Sequence, residues 1–95
     1  MAGSGQRPSN VKSYLLECYW PDVGEEQAGA RIDTVRSAVA HLSSKGRKID
    51  FVGSIYVPSD ETMFCLFDGA EADVLEASRE AQIPFDRIRE SLRFD

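Results

Sequence analysis

Residues 48–67 read KIDFVGSIYVPSDETMFCLF, and this stretch decides the fold. Two runs rich in aromatic and β-branched residues, 48–57 and 62–67, flank Pro58-Ser59-Asp60-Glu61, whose composition is that of a turn. So short a connection joins the runs as an antiparallel hairpin. Within the first run, Ile49, Phe51, Ile55 and Val57 fall on one side by simple alternation.

Working outward, Glu25–Ser44 places Ala28, Ile32, Val35, Val39 and Leu42 at spacings of three and four, one stripe of a helix. Glu25 and Glu26 suit its first turn and Gly46 its stop. Before it, Ser13–Trp20 (SYLLECYW) is a strand with Tyr14, Leu16, Cys18 and Trp20 on one face. After the hairpin, Ala70–Gln82 is a second helix with Val74, Leu75, Ser78 and Ala81 inward. Pro84 ends it, and Ile88–Phe94 forms a last strand. Strand, helix, strand, strand, helix, strand predicts an α+β domain, the ferredoxin-like βαββαβ sandwich. Right-handed crossovers put both helices on one face of a four-stranded antiparallel sheet, ordered fourth, first, third, second. Residues 1–10 are small and polar and read as a flexible tail, leaving 11–95 as a single domain.

The bulk properties narrow the function. A formal charge of −5 disfavours nucleic acid and anionic membranes as partners, because both reward clustered Lys and Arg. No run approaches the roughly 20 apolar residues of a membrane span. Two cysteines, Cys18 and Cys65, make no disulfide framework, and the N-terminus has no signal-peptide pattern, which together predict a cytoplasmic protein.

Two helices cover one face of such a sheet, yet the strands carry large residues in both phases. Leu15 and Tyr19 oppose Leu16 and Trp20; Met63 and Phe67 oppose Phe64 and Leu66. Monomers seldom leave large apolar patches open, so the helix-free face is expected to meet a twofold partner. Edge-to-edge dimers and ligand clefts are the competing explanations.

No catalytic motif stands out. Cys18 and Cys65 are a thiolate pair on one reading and two small core residues on the other. Asp22 and Glu25 cluster where the first strand meets the first helix and offer oxygen ligands to a hard cation, or favour the helix N-terminus. His41 is the one histidine. Asp22, Glu25 and His41 are therefore the metal candidates, while Tyr14, Trp20, Tyr56 and Cys65 are candidates to line an apolar ligand cavity. Arg87, Arg89 and Arg93 share one strand phase and can pair with Asp86, Glu90 and Asp95. Asp86 is expected to bond Arg87 or loop backbone.

The segments VGSIYVPSDETMFCLFDG and EASREAQIPFDRIRE carry a resemblance through Ser54, Phe64, Cys65, Leu66, Phe67, Ala77, Ala81, Ile83, Pro84, Asp86, Arg87 and Ile88. They are similar to a family of short bacterial ferredoxin-like domains, mostly of unknown function, that includes a nickel-binding protein. The resemblance covers most of 13–94 and is sharp in the second half. It implies the same fold and a tendency to dimerise, with nickel as the implied metal. Some members carry histidine just before the serine matching Ser54; this chain has Gly53 there, which has no side chain to ligate.

Three functions follow as expectations. The first is a small homodimeric binding or sensing domain, without turnover, for a metal ion such as nickel or a small molecule. The second is a cofactor-free oxygenase or cyclase of the dimeric α+β-barrel type. The third is a protein-interaction module using the open sheet face.

Overall fold

The structure, a computed structural model, describes residues 12–92. The tail expected over 1–10 and the final residues of the last strand lie outside them. The first element along the chain is β1 (Ser13–Tyr19), followed by α1 (Glu25–Ser44), β2 (Ile49–Val57), β3 (Thr62–Gly69), α2 (Glu71–Ala81) and β4 (Arg87–Ser91). All neighbouring strands are antiparallel, in the order β2-β3-β1-β4. This is the α+β ferredoxin-like arrangement expected from the element order.

The long helix follows its apolar stripe. Ala28, Ile32, Val35, Ala38, Val39 and Leu42 are buried, and Glu25 and Glu26 occupy the first turn. At its end the Gly46 N–H bonds the Ser43 carbonyl and the Arg47 N–H bonds that of Leu42. Gly46 takes φ +89°, a left-handed conformation that glycine adopts at little cost. On α2 the buried set is Val74, Ala77, Ser78 and Ala81, small residues that allow a close approach to neighbouring elements. Leu75, expected inward, is half-buried, and Ala77 takes its place. The helix turns off at Gln82, φ 56°, two residues before Pro84, with the Ile83 N–H bonded to the Ser78 carbonyl.

In β1 the expected face is buried: Tyr14, Leu16 and Cys18 point to the helices, with Trp20 just beyond the strand. In β3, Met63, Cys65 and Phe67 do the same. The second strand departs from simple alternation. Phe51 pairs with Phe67, but the next partner of β3 is Gly53 against Leu66, so Val52 is an extra residue in a β-bulge. One inserted residue reverses every side chain after it. Ile55, expected inward with Phe51, faces away from the helices and is 67% exposed. Tyr56 instead turns to the helix side and packs against the core.

Two glycines meet opposite demands. Gly69 ends β3 at φ +140°, and a Cβ there would lie 2.7 Å from the Lys48 carbonyl oxygen. Gly53 has ordinary backbone, and a Cβ there meets nothing within 4 Å. Gly69→Ala should therefore cost about 1–3 kcal/mol of stability, whereas Gly53→Ala should stabilise by about 0.5 kcal/mol through reduced freedom of the unfolded chain. Urea unfolding midpoints check both; equal shifts of the two variants would contradict the backbone assignment.

Candidate functional site

The β2–β3 turn brings one end of the sheet against the start of α1. Pro58–Asp60 forms a short 3-10 turn, and Glu61 follows in left-handed conformation, φ 50°. Asp22, across from it, is also left-handed, φ 61°. Glu61 ties these segments together. Its carbonyl accepts the Trp20 N–H at 2.7 Å, and its carboxylate accepts the Asp22 N–H at 2.9 Å and the Tyr19 hydroxyl at 3.3 Å. The Glu61 charge, with Asp22 contributing less, holds the Tyr19 hydroxyl above the usual phenol range. Tyr56 donates its hydroxyl to the Val23 carbonyl at 3.0 Å. Between these groups lies a cleft of about 500 Å³ with Val23, Tyr56 and Pro58 on its walls and the carboxylates of Glu25 and Glu61 at its edge.

The residues expected to share one apolar cavity are divided. Tyr56 lines this cleft, whereas Tyr14, Trp20 and Cys65 are buried in the packed core. Trp20 is 1% exposed, and its Nε1–H has no hydrogen-bond partner among the described residues. The Arg31 guanidinium stacks over the indole at 4.8 Å from the ring centroid, a cation–π contact at the core's edge. Cys18 and Cys65 are both buried free thiols on the helix-facing side. A hydrogen bond with Cys65, and then burial, push the Cys18 thiol far above the usual thiol range, so it is held neutral.

The metal candidates are divided as well. Glu25 lines the cleft and Asp22 bonds Glu61 beside it, but His41 lies near the far end of α1, roughly 24 Å from Glu25 along the helix axis at 1.5 Å per residue. There its Nδ1 meets a Glu80 carboxylate oxygen at 2.5 Å, bridging α1 to α2. No group of three or more His, Cys, Asp or Glu side chains able to hold a metal occurs among the described residues. Among the described residues the donor set of one chain does not fit nickel, for which imidazole is a suitable ligand.

The helix-free face is the second candidate. Register places Ile55, Phe64, Glu17 and Arg87 in one row across it, and Gly53, Leu66, Leu15 and Arg89 in the next. Leu15, Phe64 and Leu66 are half-buried at its centre, and Ile55 and Tyr19 are exposed beside them. The Arg89 Nε contacts the Glu17 carboxylate at 3.0 Å. Sequence reading paired these arginines with acidic residues of their own strand and missed Glu17, whose signal was its outward phase on the neighbouring strand. Asp86 bonds backbone, but that of strand β1 rather than of a loop: its carboxylate accepts the Tyr19 N–H at 2.7 Å and its own N–H donates to the Glu17 carbonyl at 2.8 Å. This fixes the start of β4 against β1.

Fold and site together define an α+β ferredoxin-like domain with a sheet face that neither helix covers and a small acidic cleft at one end. Among solved structures it is similar to the crystal structure of SCO4226 from Streptomyces coelicolor A3(2), with a TM-score of 0.66 at 17% sequence identity. The match covers 83% of this chain and 94% of that one. At that identity the likeness carries the fold. No protein-family model and no curated protein matches the chain. No helix among the described residues is long and apolar enough to cross a membrane.

Two measurements follow. Glu61→Gln should lower the titration midpoint of Tyr19 toward that of a free phenol, read as the difference between ultraviolet titrations of variant and parent; coincident curves would contradict the Glu61 contact. Iodoacetamide should label Cys18 and Cys65 in the native protein roughly a thousandfold more slowly than in denaturant, because labelling must await opening of the core. Fast native labelling would show an accessible thiolate instead.

Proposed function

We propose that this protein is a small non-catalytic binding domain that works as a homodimer joined through its helix-free sheet face. The observation that carries the reading is the apolar centre of that face, Leu15, Phe64 and Leu66, continued by the 67% exposed Ile55. Removing such surface from water is worth about 25 cal/mol per Å².

Both sheet edges are poor alternatives. In the register that pairs all of β4 with a second β4, Arg89 meets Arg89. Like charges directly opposite across strands repel. The β2 edge is broken by the bulge at Val52. The face is left as the surface to bury.

Its size sets the strength of the contact. Four strands spaced 4.8 Å apart, each about six residues long, present roughly 400 Å² a side. At about 800 Å² for both sides together it falls short of the roughly 1,000 Å² of a stable specific interface, so the dimer is a weak, reversible one. In such a dimer each protomer keeps its own cleft beside Tyr56, Glu25 and Glu61, at the end of the sheet and clear of its centre, and this cleft is the place for a small ligand.

Sedimentation equilibrium tests the reading. The parent should be a concentration-dependent dimer, and Ile55→Lys and Leu66→Lys should each be monomers. Ile55→Lys should also unfold within about 0.5 kcal/mol of the parent, as exposed positions do. A parent that stays monomeric at high concentration would refute self-association and leave the face to another protein. Native mass spectrometry with added nickel should show no stoichiometric ion on the monomer; one tightly retained nickel per chain would restore the metal reading.

A further inference from the structure

The bulge at Val52 leaves a glycine within the apolar patch of the helix-free face. Gly53 pairs with Leu66, and Ile55, the next outward residue of β2, pairs with Phe64. Val52 and Ile55, 41% and 67% exposed, lie on either side of it in the chain. Nothing within the described residues requires glycine here. Its φ is not left-handed, the extra residue of the bulge is Val52, and a Cβ at Gly53 would meet nothing within 4 Å. Glycine inside a strand weakens the strand, and it marks either a distortion of the backbone or a place where another molecule comes close. Gly29 is equally open, but it lies on the exposed side of α1, where no large hydrophobic side chain is exposed among the described residues. Gly53 is the glycine whose open space falls among apolar neighbours.

The face thus carries a projection and a gap side by side on one strand: Ile55 stands out, and Gly53 leaves room beside it. Such a surface is complementary to itself, because a second copy brings the matching projection. A twofold axis crossing β2 between these two residues lays β2 antiparallel over β2 of the partner. The row of Ile55 and Phe64 then faces the partner's row of Gly53 and Leu66, and the reverse contact follows by symmetry. Phe64 meets Leu66 in the same arrangement, so the apolar centre of each face is covered. Arg87 and Arg89, on the outer strand β4, fall at the rim, where charged groups stay hydrated. We propose that Gly53 is the socket of the sheet-face dimer, receiving Ile55 of the partner while the partner's Gly53 receives Ile55 in return. The proposal rests on the dimer reading above and adds which rows of the two faces meet.

The experiment exchanges projection and gap. Gly53→Ile alone sets isoleucine against isoleucine twice in the dimer, and Ile55→Gly alone sets gap against gap. Sedimentation equilibrium should show the dimer dissociation constant raised about tenfold or more in each, by overpacking in the first and by a void in the second. The double variant, Gly53→Ile with Ile55→Gly, restores one projection and one gap at each contact. Its dissociation constant should return to within about threefold of the parent's, since total volume is kept. Circular dichroism confirms that each variant is folded. In the parent, an isotope-filtered nuclear Overhauser spectrum should also connect the Gly53 α protons of one chain to the Ile55 methyl groups of the other, a readout that needs no variant. A Gly53→Ile dimer as tight as the parent's, a double variant no tighter than the single ones, or contacts between the faces that leave out Gly53 would each overturn the socket while leaving the sheet-face dimer standing. A parent that is monomeric throughout would overturn both.

Discussion

Two helices can cover only one face of a four-stranded sheet, and the rest of this structure follows from how the chain meets that constraint. On the covered side, the stripe of α1 from Ala28 to Leu42 and the small residues of α2 close over Tyr14, Leu16, Cys18, Met63, Cys65 and Phe67. That core is thin, as expected of a chain this short. On the other side the strands carry Leu15, Phe64, Leu66 and Ile55 with nothing from the chain's own helices above them. A fold that left this face to water alone would not need aliphatic and aromatic residues along its centre line. Their presence there, together with edges guarded by paired arginines and a bulge, is the physical basis for reading the protein as one half of a symmetric pair.

The bulge at Val52 distributes side chains between the two sides. Without it Ile55 would continue the inward row of Ile49 and Phe51, and Tyr56 would face out. With it, Tyr56 reaches the Val23 carbonyl and walls the cleft, Ile55 extends the apolar patch, and Gly53 opens onto the free face where a side chain would find space. One residue of slip thus supplies both candidate surfaces. The cleft end is further tied by Glu61, whose backbone and carboxylate reach Trp20, Asp22 and Tyr19, so the tip of the hairpin and the start of α1 are held as one unit.

Much of this was legible in the sequence. The element order, the sheet order, the stripe of α1 and the inward phase of β1 follow from periodicities of 3.6 and 2 that leave little choice. The bulge was missed although Gly53, a glycine inside a strand, is a local mark of one; the glycine does not by itself tell which residue is extra. The candidate sites suffered for a related reason. Residue type placed Tyr14, Trp20 and Cys65 with Tyr56 as cavity lining, but burial in a thin core claims large residues first, and three of the four are core. His41 and Glu25 share a helix, yet roughly 24 Å of it separates them. The Glu17–Arg89 pair appears only once register is known, since it joins residues on different strands.

The central claim is that the helix-free face is the surface on which two copies meet. An isotope-filtered nuclear Overhauser spectrum of a mixed sample, half labelled and half unlabelled, tests it most directly. The account predicts contacts between chains from the methyl groups of Leu15, Ile55 and Leu66 and from the ring of Phe64. Intermolecular contacts confined to α1 and α2, or none at millimolar protein, would contradict it.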